Sequence, residues 1–299
     1  MDEKRKFILK VVGYLAFFLA ALGVSMFLTF DAQGLKPLIK AQARKNNLDV
    51  RINEISLNPL IGMDFSNVKI MPLQIGADQK GGSVEIESIS LEVPLTKVPG
   101  IILSALSRKR PSMAVDFKGR IGDGVIKGEL EQTDKSFFLE MDVRQVPVEK
   151  IDMAGYYLKG MKITGVLNGE MKLDFKDFNN PQNWQGNVMA TIDNPAFSDF
   201  KYASYNVAGI TMQQGMLSAD LENGTVKINK IKLEGSDLPV DLSGTVSLRR
   251  PLNRSMIDLK GKINYSSSYQ EKMPLIKAFI PSTDNYNYQD TLGKLVPGL

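Results

Sequence analysis

The sequence predicts a mainly β protein: one N-terminal transmembrane helix, then a long, strongly coiled antiparallel sheet, gutter-like or a sandwich, with a few short helices. Three observations predict it. Apolar residues recur with period two from Asp49 to about Tyr265, while helical spacing is rare. Asn-Pro, Asn-Gly and single glycines punctuate those runs as turns and bends do. Before them, Val11 to Phe30 reads VVGYLAFFLAALGVSMFLTF, twenty residues without a charge.

In chain order, residues 1–10 form a short basic segment and 11–30 the apolar helix. At 1.5 Å per residue the uncharged run matches a hydrocarbon core about 30 Å thick. Val11, Tyr14, Phe17, Phe18, Leu22, Phe27 and Phe30 are its expected membrane-facing residues. Lys4, Arg5, Lys6 and Lys10 precede it, which keeps the N-terminus in the cytoplasm and sends the remainder across. Lys36, Lys40, Arg44 and Lys45 on the other flank soften that asymmetry. A cleaved signal peptide fits less well: the apolar run exceeds the usual h-region, and Phe30-Asp31-Ala32 puts a bulky ring where a small side chain is needed. Residues 31–48 then predict a juxtamembrane amphipathic helix, with Pro37 in its first turn and Leu35, Leu38, Ile39 and Ala43 on one face.

Residues 49–265 carry the strand pattern. Val50 and Ile52, then Ile55 and Leu57, then Met63 and Phe65, then Val68 and Ile70 alternate, and the same grammar runs through Met113, Val115 and Phe117 to Leu173 and Phe175. Two stretches interrupt it: Thr96 to Ser107 reads as a short apolar helix or loop, and Val148 to Leu158 as about three helical turns. Between Met216 and Arg249 the signal is sharpest. Asn223-Gly224 separates Leu217, Ala219 and Leu221 from Val226 and Ile228, as a two-residue hairpin requires. Apolar parity then jumps to Ile231 and Leu233, which predicts a bulge or break at Asn229 and Lys230. Val240, Leu242, Val246 and Leu248 continue the sheet. From residue 266 to 299 the pattern dissolves, and an irregular tail is expected with at most a short helix near Met273 to Ile280.

A dozen or more strands with one apolar face cannot stand as an open flat layer. The sheet packs against a second one or curls so that the apolar side becomes concave. Glycines inside the strands favour curling. The ten apolar residues Leu217, Leu221, Val226, Ile228, Ile231, Leu233, Val240, Leu242, Val246 and Leu248 are the expected lining of such a groove, which suits phospholipid acyl chains at about 0.8 kcal/mol per buried CH₂. An ordinary β core without ligand shows the same alternation.

Composition excludes more chemistry than it suggests. His and Cys both number zero, which removes thiol nucleophiles, a Ser-His-Asp triad, and zinc and iron–sulfur ligation. Asp116, Asp123, Glu129 and Glu131 lie near glycines, but solvated strand faces account for them, and GRIGDGVIKG lacks the Lys-Ser/Thr pair of a phosphate loop. No enzyme, cofactor or metal site is expected. The net charge of +4 comes from interleaved cations and anions, which points away from nucleic acid and weakly toward an anionic membrane surface. Trp184, Tyr156 and Tyr157 are candidate contact residues, each also readable as a core edge.

ADLENGTVKINKIKLEGSDLPVDLSGTVSL resembles the strand grammar of AsmA-like periplasmic proteins, and the opening order of apolar helix, short helix and RINEISLNPLIGMDFSNVKI is similar too. The layout continues through IILSALSRKRPSMAVDF, GRIGDGVIKGEL, KITGVLNGEMKL and SGTVSLRRPLNRSMIDLKGKI, and over most of residues 1–265 it resembles the type II secretion protein N (GspN) family in its AsmA-related form. That resemblance implies a bacterial inner-membrane anchor, a periplasmic body and an accessory, structural role among other secretion-system proteins. The AsmA likeness implies instead a lipid-binding or intermembrane phospholipid-transfer module. Neither implies active-site residues.

Overall fold

The structure is a computed structural model, and it describes residues 32–45, 47–58, 62–73, 82–94, 96–97, 113–133, 135–151, 161–177, 180–198, 200–202, 205–273 and 283–291. Residues 11–30, with all seven expected anchor residues, lie outside them, as do Tyr156, Tyr157 and most of the Thr96–Ser107 stretch. No helix among the described residues is long and apolar enough to cross a membrane.

A single turn at Ala32–Gly34 leads into α1 (Leu35–Lys45). Strands follow in order: β1 (Leu48–Asn58), β2 (Gly62–Pro72), β3 (Val84–Glu92), β4 (Met113–Ile121), β5 (Gly124–Gln132), β6 (Phe137–Pro147), β7 (Ile163–Phe175) and β8 (Trp184–Phe197). After these come β9 (Phe200–Tyr202), β10 (Tyr205–Val207), β11 (Ile210–Thr211), β12 (Gln214–Glu222), β13 (Thr225–Glu234), β14 (Val240–Ser247) and β15 (Met256–Ile263). The helix α2 (Ser267–Lys272) and the strand β16 (Thr283–Thr291) close the described chain.

Fourteen of these strands form one antiparallel sheet that does not close on itself. Its path is β1 to β8 and then β12 to β16, with β11 beside the end of β8, while β9 and β10 pair separately. The alternation therefore builds a meander in one layer. The sandwich alternative is corrected: each strand along the path pairs with the next one on it, β8 with β12 past the short β9 to β11, and among the described residues there is no second large sheet.

Local chemistry sets the turns and the bulges. Asn223 and Gly224 both adopt positive φ, +50° and +72°, as a two-residue hairpin of the right twist demands. Leu221 stands opposite Val226 and Glu222 opposite Thr225. The expected irregularity in β13 is present. Ser218 faces Lys230 and Ala219 faces Ile228, leaving Asn229 unopposed, and its side chain donates to Asp220 Oδ2 at 2.6 Å. On the other side Ile228 faces Gly244 and Ile231 faces Leu242. The extra residue returns Ile231 and Leu233 to the face that Val226 and Ile228 occupy.

The same device recurs elsewhere. Gln145 is left-handed (φ +53°) where the β6 to β7 register shifts, and its backbone N–H donates to Asn168 Oδ1 at 2.8 Å. Asn194 (φ +49°) sits at the β7 to β8 shift, and Asn67 (φ +49°) lies where β2 changes apolar parity from Phe65 to Val68. Asn tolerates this conformation better than most residues because its short side chain bonds locally.

Two expectations need correction. The tail is not irregular throughout: Thr283–Thr291 forms β16 and pairs with β15, Leu259 facing Tyr288 and Gly261 facing Tyr286. Its alternating residues are tyrosines and polar groups rather than aliphatics, so hydrophobic period alone passes over it. A short helix not expected from the sequence forms at Ser267–Lys272, capped by Ser266 Oγ accepting from the Tyr269 N–H at 3.0 Å, while the one expected near Met273 to Ile280 falls on residues 274–280, outside the described residues. After Pro147 only one turn, Val148–Lys150, forms before Ile151 bridges Val84; residues 152–160 are not described.

The helix α1 lies along the outer edge of β1. Gln33 Nε2 donates to the Ile55 carbonyl at 2.7 Å and Lys36 Nζ to the Asn53 carbonyl at 2.5 Å. Leu35 and Ile39 pack onto Ile55, Phe65 and Val68 with Ala32. Leu38 does not join them and stays 65% exposed, since the side-chain bonds to β1 roll the helix toward Leu35 and Ile39.

Candidate apolar groove

Residues directly opposite in an antiparallel pair share a face, so register alone traces each side of the sheet. Phe117 faces Gly128, Gly128 faces Met141, and Met141 faces Met171. Met171 faces Val188, Val188 faces Ala219, and Ala219 faces Ile228. A second row runs from Leu173 through Gly186, Leu221 and Val226 to Val246 and Ile257. One face is thus apolar from β3 to β15, and β16 extends it with Tyr286 and Tyr288.

Nine of the ten residues expected to line a groove lie on this face: Leu217 faces Ile231 and Ile231 faces Leu242, while Leu233 faces Val240. Leu221 and Val246 are buried, at 9% and 8% exposure. Leu217 is 37% exposed although it sits among aliphatic neighbours. Leu248 follows the last residue of β14 with the parity of Val246; it is half-buried, and its N–H donates to the Gly224 carbonyl at 2.7 Å.

Glycine packing shows how closely the strands approach one another. A methyl group on Gly128 would stand 2.0 Å from the Glu140 carbonyl oxygen, and one on Gly186 2.3 Å from that of Lys172. Both glycines belong to the apolar face, and at each the backbone of the neighbouring strand approaches too closely for a side chain. The lining residues are buried or half-buried along the central strands, while Lys118, Lys127, Glu140, Lys172 and Asp220 on the other face are exposed.

Ten strand-to-strand steps from β3 to β16, at about 4.8 Å each, give an apolar strip about 48 Å long. One margin carries an aromatic row. Phe137 lies 5.8 Å from Phe175, and Phe175 stacks on Trp184 at 4.5 Å. Trp184 is 8% exposed, its indole N–H donates to the Asp177 carbonyl at 2.8 Å, and the Arg250 guanidinium sits 5.7 Å from its ring. It is a packed groove residue, not an exposed contact. Lining from β4 to β8 and this aromatic row were not singled out from the sequence, although the same period-two signal was present there.

The opposite face is charged and locally paired. Lys127 reaches Asp142 at 3.4 Å, Arg144 the same carboxylate at 2.7 Å, and Lys172 meets Glu140 at 2.9 Å across β6 and β7. Lys69 holds the Glu85 carboxyl below its ordinary pKa through a 2.6 Å bond, with Lys150 adding to the pull. Glu129 moves the other way, raised first by partial burial and then by Glu131 and Asp116. Glu92, Asp116, Glu129 and Glu140 stand opposite one another in a single row of acids. A recess of about 730 Å³ on this face is walled by Lys172, Asp174, Asp220 and Glu222 among others. Its groups do not converge on one point with a nucleophile or base. The apolar strip is the feature with a consistent chemistry: its facing residues are apolar from strand to strand and carry no charge along its centre. Comparison with protein-family models, with curated proteins and with solved structures found no match to this chain.

Proposed function

We propose that the chain is a membrane-anchored lipid-binding protein whose concave strip takes phospholipid acyl chains. On this reading residues 11–30 tether it to a bacterial inner membrane, with the strand-built body in the periplasm, and no covalent chemistry is performed. The observation that carries the reading is the apolar face that runs from β3 to β15, half-buried and, among the described residues, without a second large sheet packed on it. At about 0.8 kcal/mol per methylene, transfer of a few acyl carbons onto such a face outweighs the cost of leaving a bilayer only if the strip shields most of the chain.

The test is lipid retained through purification in mild detergent, measured by mass spectrometry on the full chain and on Leu217→Glu. The native chain carries phospholipid. The variant, with a carboxylate in the middle of the strip, loses most of it while keeping a strand-dominated far-UV spectrum. A native chain free of lipid sinks the proposal.

A second reading is an accessory structural role in type II secretion, carried by the resemblance described above and by the outer edge of β16. Among the described residues no strand pairs with that edge, whereas α1 occupies the corresponding edge of β1. An edge of this kind accepts a partner strand. Co-purification with a secretin or inner-membrane secretion components supports it, and unchanged exoprotein secretion in a deletion strain counts against it.

A further inference from the structure

The connections of a meander fall on two rims. Those after β1, β3, β5, β7, β12 and β14 share one; those after β2, β4, β6, β8, β13 and β15 share the other. Among the described residues of the first rim's connections, Lys97, Lys135, Lys176, Arg249, Arg250 and Arg254 stand against one acid, Asp177. On the second rim four basic residues meet four acids, Asp123, Glu149, Asp237 and Glu271. The two rims therefore differ by charge, although the face between them is evenly mixed.

The loop from Leu248 to Ser255 concentrates the difference. It holds Arg249, Arg250 and Arg254 with no acid, and its tip presents Leu252, 41% exposed, followed by Met256 at 38%. The loop is built rather than slack. Arg254 N–H donates to the Pro251 carbonyl, Ser255 N–H to that of Leu252, and the fully buried Ser255 hydroxyl accepts from the Arg249 N–H at 3.0 Å. A rigid tip that exposes a leucine between arginines fits a surface with negative headgroups over hydrocarbon.

The path of α1 supplies an independent pointer. Gln33 bonds to Ile55 near the end of β1 and Lys40 pairs with Asp49 near its start, so the helix runs antiparallel to β1. Ala32 and Gln33 consequently lie at the end of β1 on the first rim, the rim that carries the arginines.

From these we infer that the first rim lies against an anionic bilayer, with Leu252 entering the headgroup layer and Arg249, Arg250 and Arg254 pairing with lipid phosphates. The inference rests on the lipid-binding reading for its purpose, since it sets the groove sideways on its source of lipid. Its geometry stands apart from that reading.

The chain has no cysteine, so single labels are clean. Leu252→Cys and, on the second rim, Asp123→Cys carry a fluorophore in the full chain, reconstituted into phosphatidylcholine vesicles with or without phosphatidylglycerol, with brominated acyl chains as quencher. Quenching is expected at position 252, rising with phosphatidylglycerol, and not at 123. Arg249→Gln and Arg254→Gln each weaken the phosphatidylglycerol-dependent contact about fivefold. Equal quenching at both sites, indifference to phosphatidylglycerol, or preferential capture of a nucleic-acid probe by the same loop overturns the inference. Lipid in the groove without contact at 252 defeats the rim inference and spares the lipid reading; contact at 252 with an empty groove does the reverse.

Discussion

Gly128 and Gly119 occupy the same face two strand positions from one another in register, yet they answer differently to a methyl group. At Gly128 the added carbon meets the Glu140 carbonyl at 2.0 Å, whereas at Gly119 the nearest atom, the Ser88 carbonyl oxygen, lies at an ordinary 3.5 Å. Gly128→Ala is therefore expected to cost about 1–3 kcal/mol by forcing backbone apart. Gly119→Ala leaves stability unchanged or raises it by up to about 1 kcal/mol through a less flexible unfolded chain. Urea midpoints of the two variants decide it, and equal midpoints would contradict the close backbone approach at Gly128.

Glu129 makes a residue-scale prediction in pH. Burial first, then Glu131 and Asp116, raise its carboxyl above the ordinary value. A raised carboxyl stabilises the fold while protonated, below the unfolded-state pKa, and that contribution is lost as pH rises through the folded pKa. Glu129→Gln should thus stabilise the protein near neutral pH, by about 0.2–1 kcal/mol given the scale of cross-strand charge pairs. The gain should vanish in acid, where both side chains are neutral. Glu85, lowered by Lys69, contributes in the opposite sense: its stabilisation is present above the unfolded pKa and fades as pH falls. Thermal melts of Glu129→Gln at neutral and acidic pH read the sign directly.

At the scale of the element, the bulges keep the strip continuous. Period two locks every second side chain to one face, so an apolar sequence that changes parity needs an extra or left-handed residue to stay in register. Parity between Ile228 and Ile231 made the bulge at Asn229 and Lys230 legible before any coordinates. Deleting Asn229 should turn Ile231 and Leu233 to the charged face or tear β13 from β14. The expected result is a loss of several kcal/mol, or failure to fold, alongside retained stability in Asn229→Ser, which keeps the residue count. A deletion as stable as the native chain would show that the bulge has no such role. Strand β16 was not legible by the same means: Tyr286 and Tyr288 alternate with Asn285, Asn287 and Gln289, and period two in polar residues carries no burial signal.

Over the whole molecule, contacts run from each strand to the next and seldom further, so the core is a line instead of a ball. Stability in such an arrangement is close to a sum of nearest-neighbour terms. Amide exchange should therefore be graded, with protection highest in β5 to β13 and lowest in β16, which has one strand neighbour among the described residues. Uniform protection across the sheet would indicate all-or-none opening and contradict this picture.

The pattern of apolar and polar residues by itself determined the strand-built class, the Asn223-Gly224 hairpin, the β13 bulge and the shared face of nine of the ten apolar residues from Leu217 to Val246, because period two and turn stereochemistry are local properties of a chain. Whether those strands split into two sheets or remain one, that Trp184 is packed under Arg250, and that the arginines gather on one rim were decided only in the tertiary structure. Those outcomes depend on which strand pairs with which and on distances between residues far apart in sequence, which no local pattern encodes.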